Sequence, residues 1–182
     1  MEYRLATHLG SGEMVFSVDP ERLTVLSEKT GKTVTADFSE LTEINLHPGP
    51  DACMAVVKRR SGPPIVIPSR HFLGFARFEP RSAEYVRFLE ALHRGCQAAN
   101  PNVRYVAGSS LLYVLGVICV ALGVLLGIGL VAGALWKRSL PPVQAIAPLP
   151  VALLAGARFV KQGRALNYDP LALPTKYLPV GP

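Results

Sequence analysis

The residues able to do chemistry are scattered along this chain rather than gathered. His8, His47, His71 and His93 fall one to each distant segment, and none pairs with a neighbouring Cys, Asp or Glu at metal-ligand spacing. Cys53, Cys96 and Cys119 are odd in number, far apart and without a Cys-x-x-Cys pair, so they imply no disulfide framework. Glu13, Glu79 and Asp169 are isolated carboxylates, and no serine stands in a nucleophile-elbow context. Gly127-Ile-Gly129-Leu-Val-Ala132 spells a dinucleotide fingerprint. That motif works only where a strand feeds a helix whose N-terminus meets phosphate, and here it lies inside an apolar run. The sequence thus predicts a non-enzyme with no catalytic, cofactor-binding or metal residues.

The apolar run is the strongest signal. Residues 106–136 contain no Asp, Glu, Lys, Arg or His, and residues 111–136 are apolar apart from Tyr113, Cys119 and several glycines. As a helix this core is roughly 39 Å long, enough to cross a hydrocarbon layer of about 30 Å with some tilt. A second apolar stretch, residues 140–157, carries prolines at 141, 142, 148 and 150. It is expected to cross as a kinked helix, with a re-entrant or interfacial segment as the alternative. The spans are placed at about 109–136 and 140–158. Gly116, Gly123, Gly127, Gly129 and Gly133 include small-xxx-small pairs and are predicted to let helices approach closely. With no strongly ionisable side chain inside, the segments do not read as an independent transporter.

Charge separates the rest. Residues 1–108 hold thirteen Lys/Arg against twelve Asp/Glu, whereas residues 109–182 hold six against one. The surplus behind the net charge of +6 therefore flanks the apolar segments, which argues against a nucleic-acid groove. Within the soluble part, residues 1–51 carry four basic and nine acidic residues and residues 52–108 nine and three. Lys58, Arg59 and Arg60 head the basic half and are the candidate contact with an anionic membrane surface. The start lacks a basic n-region and apolar h-region, which predicts that this part stays in the cytosol.

The elements that must carry these residues are short strands and one helix. Runs at 14–18, 23–26, 33–38, 44–46, 53–57 and 65–67 are β-rich and separated by turns such as Lys29-Thr30-Gly31-Lys32 and Ser61-Gly62-Pro63-Pro64. Beyond Pro80 the period changes: Tyr85, Phe88, Leu89, Leu92 and Cys96 form one helical stripe. Ser82 is its predicted N-cap, and Gly95 with Asn100-Pro101 its stop. The tail holds prolines at 170, 174 and 179 among Tyr168, Asp169, Pro170, Tyr177 and Leu178, a set too apolar for a free linker and predicted to dock.

Val66-Ile67-Pro68-Ser69-Arg70-His71-Phe72, Phe78-Glu79, Arg81-Ser82-Ala83-Glu84-Tyr85, the two apolar segments, then Tyr168-Asp169-Pro170, Pro174 and Leu178-Pro179 resemble a family of uncharacterised bacterial inner-membrane proteins. The N-terminal part resembles a bacterial pleckstrin-homology-like domain. The resemblance implies an α+β fold, a curled antiparallel sheet capped by one C-terminal helix and followed by a two-helix transmembrane hairpin. It implies no known activity, and phosphoinositide sites are not carried over. The expected division is 1–104 soluble, 105–160 membrane hairpin and 161–182 tail, with both termini cytoplasmic by the positive-inside bias. The expected function is a membrane-anchored binding or scaffold protein, an accessory subunit of a membrane complex, with a small transport component as the alternative. Its expected partners are the lipid bilayer and a protein in or beside it, not nucleic acid.

Overall fold

Alternation of buried and exposed residues builds the first sheet. In Glu2–Ala6 (β1) Tyr3 and Leu5 point inward, and Glu13–Val18 (β2), Arg22–Ser27 (β3) and Thr33–Asp37 (β4) follow as an antiparallel meander in the order β1-β2-β3-β4. Gly31, at φ 63°, turns β3 into β4 in a conformation that costs other residues energy. The computed structural model describes residues 1–6, 12–48, 53–74, 77–137, 146 and 148–179; His8 lies outside that set.

After a 3-10 turn at Phe38–Glu40 the chain enters a second sheet. Leu41–His47 (β5), Met54–Arg59 (β6) and Ile65–Pro68 (β7) pair antiparallel. Arg70–Gly74 (β8) and Arg77–Pro80 (β9) form a separate two-stranded ribbon. The helix Ser82–Ala99 (α1) then covers the core, burying Tyr85, Phe88, Leu89, Leu92, His93 and Cys96. Its rings meet those of the first sheet, with Tyr3 and Phe88 centroids 5.5 Å apart and Phe16 and Phe88 6.3 Å. Arg104–Ala107 (β10) runs parallel to β5, and Leu166–Asn167 (β11) adds antiparallel to β10, giving the order β11-β10-β5-β6-β7.

The ends of α1 differ from expectation. Arg81 occupies the N-cap position without a side-chain capping bond, and Ser82 is the first helical residue. Gly95 is not the stop: a Cβ there would lie 2.7 Å from the Phe38 ring, so its bare backbone admits that ring to the core. Asn100 ends the helix, its Nδ2 donating to the carbonyls of Phe38, Ser39 and Leu41 at 3.0, 3.3 and 3.1 Å.

The described chain divides into two compact units, Met1–Ala107 with Leu166–Pro182, and Gly108–Ala165. The second unit is helical: Ser110–Lys137 (α2) and Pro148–Gly163 (α3) pack on each other.

Both parts of the expected fold are corrected. Instead of one curled antiparallel sheet capped by a helix, the described residues form eleven strands in three sheets, one of them mixed because β10 lies parallel to β5. Among the described residues only α2 is long and apolar enough to span, so the expected two-helix transmembrane hairpin is not shown. The expected second span at 140–158 begins in residues outside the described set. Its described part, α3, has 16 residues, or about 24 Å, and carries Arg158 and Lys161. Pro148 and Pro150 open the described part of α3, so the expected kink falls at the edge of the described residues.

Candidate functional site

Two places in the larger unit bring polar chemistry against apolar surface. The first is an open groove of about 490 Å³ at the corner where the two main sheets part. β2, β3 and β4 supply Met14, Phe16, Val25 and Val34, and β7 supplies Ile65 and Val66. β4 and β7 are both outer strands of their sheets, so no ladder closes this corner. Arg59, at the end of β6, lines it as the one charged residue.

Arg59 is held in place. Its Nε donates to the Pro63 carbonyl at 3.0 Å and its Nη1 to the Thr35 carbonyl on β4 at 3.3 Å. The turn between β6 and β7 wraps the guanidinium closely: Gly62 has φ 97°, and a Cβ there would sit 2.7 Å from Nη2. Only glycine meets both conditions. The neighbouring basic residues differ. Lys58 Nζ is bridged to Glu43 Oε1 at 2.8 Å, while Arg60 is exposed and bonds through its backbone N–H to the Glu40 carbonyl at 2.8 Å.

The second place is the docking point of the tail. His93 Nδ1 lies 2.6 Å from the Leu89 carbonyl and Nε2 2.6 Å from the Tyr168 hydroxyl. A carbonyl only accepts, so Nδ1 carries the proton and Nε2 accepts from Tyr168. Burial pushes the His93 pKa down to about 4, against an opposing pull from the Leu89 carbonyl, and the ring is neutral at physiological pH. Tyr105 of β10 completes the cluster, with centroids 5.3 Å from His93 and 6.0 Å from Tyr168. Burial likewise pushes the Cys96 thiol up to about 11, partly offset by the Tyr105 hydroxyl, which keeps it protonated and weakly nucleophilic.

The remaining tail residues are arranged by local bonds. Asp169 Oδ1 accepts from the Leu171 N–H at 2.9 Å, forming a turn that Pro170 suits. Tyr177, 2% exposed, ends a 3-10 turn, and Leu178 packs against the core beside it.

In the helical unit the glycines separate into two sets. A Cβ on Gly116 would lie 2.6 Å from Val160 N and 2.8 Å from the Gly156 carbonyl, and one on Gly123 would lie 2.9 Å from Leu153. Among the described residues nothing lies within 4 Å of a Cβ built on Gly127, Gly129 or Gly133. On α3, Gly156 and Gly163 make equally close contacts, the latter against the Tyr113 backbone. Sequence reasoning missed both, although seven residues is two helical turns and puts them on one face. Ser110–Trp136 has a mean hydropathy of 2.9 and only 11% of its most apolar window is buried. Leu111, Leu125 and Trp136 are among its exposed apolar side chains.

Among the described residues no group of three or more His, Cys, Asp or Glu is placed to hold a metal ion. Comparison with protein-family models, curated proteins and solved structures finds no match to this chain.

Proposed function

We propose that this chain is a membrane-anchored, non-enzymatic binding or scaffold protein of a bacterial inner membrane, serving as accessory subunit to a larger membrane complex. The observation that carries the reading is α2, 27 uncharged residues from Ser110 to Trp136 whose apolar side chains face outward rather than into a core. A soluble protein rarely leaves so large an apolar surface uncovered, whereas lipid covers it without cost. The resemblance to uncharacterised inner-membrane proteins agrees with this. So does the chemistry of the buried groups, since a histidine held neutral and a thiol held protonated serve packing better than catalysis.

Both ends of the described chain belong to one folded unit, with the Met1 ammonium donating to the Val18 carbonyl at 2.8 Å and Tyr177 buried in the same core. Alkaline extraction of native membranes tests the anchor, and copurification in mild detergent tests the complex. The anchor predicts retention in the membrane pellet and the complex a stoichiometric integral partner. Release into the supernatant overturns the first, and a chain that elutes alone overturns the second.

A further inference from the structure

We propose that the groove between β4 and β7 binds the acyl chain of an anionic membrane lipid, with Arg59 pairing its headgroup. The inference rests on the membrane-anchored reading, because a bilayer is the source of the lipid. Its volume, about 490 Å³, falls in the range of pockets that bury small ligands. Its walls are Met, Phe, Val, Ile and Pro side chains with a single charged group, so they reward buried CH₂ and offer little to a polar chain.

Charge sets the sign of the headgroup. Among the described residues Arg59 has no carboxylate partner, unlike Lys58 beside it, which Glu43 neutralises. Its two bonds to carbonyls fix the guanidinium while leaving the rest of its donor fork for a phosphate. Gly62, at φ 97° and without a Cβ, lets the turn close on that guanidinium.

The test uses the full chain in nanodiscs that contain phosphatidylglycerol with a diazirine in its acyl chain, and in parallel phosphatidylcholine with the same chain. After illumination, labelled peptides are mapped by mass spectrometry. The anionic probe is expected to label residues 25–34 and 65–66 as well as α2, and the zwitterionic probe α2 alone. Arg59→Gln should lower labelling of the groove about tenfold, the equivalent of one charge-assisted hydrogen bond, without changing that of α2. Val34→Trp, which fills the groove and keeps Arg59, should lower it as well. A groove left unlabelled, labelled equally by both probes, or indifferent to both variants overturns the lipid site. Absence of label on α2 overturns the anchor instead.

Discussion

His93 should make the larger unit acid-sensitive in a defined window. Its pKa is depressed from the ordinary 6.5 to about 4 because the neutral ring is buried between the Leu89 carbonyl and the Tyr168 hydroxyl. Folding therefore selects the neutral form. The contribution to stability is complete above pH 6.5, declines as pH falls toward 4, and is lost in full below that. At about 1.4 kcal/mol per tenfold change in proton affinity, the whole effect is roughly 3 kcal/mol. His93→Gln keeps a polar side chain at the site and removes the titration. Thermal unfolding of both proteins in mild detergent, followed by the near-ultraviolet dichroism of the tyrosines, should show the wild type losing more stability between about pH 7 and pH 4. Every other titrating group is common to both proteins and cancels in the difference. Parallel pH profiles for wild type and variant would refute the argument.

Asn100→Ala removes the donor that ties the end of α1 to three carbonyls, and should cost about 1–3 kcal/mol in urea unfolding with no change in helix content. Gly116→Leu forces a side chain into the α3 backbone and should destabilise the helical unit by about 1–3 kcal/mol, whereas Gly127→Leu, which meets no described atom within 4 Å, should cost less, a difference that detergent melting temperatures measure. Leu125→Arg puts a charge mid-helix on an exposed face of α2. At about 2.5–3.5 kcal/mol for insertion it should shift a measurable fraction of the chain into the alkaline extract.

Local signals were the legible part of the fold. The stripe Tyr85, Phe88, Leu89, Leu92 and Cys96 is the buried face of α1, because helical period alone decides which residues share a side. Gly31 and Gly62 mark turns whose positive φ is a property of the residue. What stayed hidden is non-local. β10 directly precedes the apolar run, so a scan for missing charge merges its apolar residues with the helix, and its pairing with β5 joins residues some sixty positions apart. Two-residue β11 has no period to detect. At the groove, the Gly62-Pro63 turn was visible, but that it would grip Arg59 and that Glu43 would hold Lys58 depended on cross-strand register. Length and charge separate the two apolar stretches: among the described residues α2 alone is long and apolar enough to span, whereas α3, the described part of the weaker stretch, is short and carries Arg158 and Lys161.

The insertion of the helical unit between two hydrogen-bonded strands leads to a final prediction. Ala107 and Leu166 are register partners in the β10–β11 pair, so the residues that leave and re-enter the larger unit are neighbours. Opposed residues of an antiparallel pair lie about 4.5–5.5 Å apart, a gap that a short Gly-Asn type turn closes. Residues 1–107 joined to 166–179 through such a turn should therefore fold as a soluble protein without residues 108–165. Residues 1–107 alone should fare worse, because they lack Tyr168, which satisfies His93, and Tyr177, which fills the core at 2% exposure. Losing one buried ring and leaving one buried acceptor unpaired together cost several kcal/mol, a large share of an ordinary domain's stability. Urea titration of the two proteins measures the difference directly. Equal midpoints would mean that the tail lies on the core without stabilising it, and that the domain is complete before the helical unit begins.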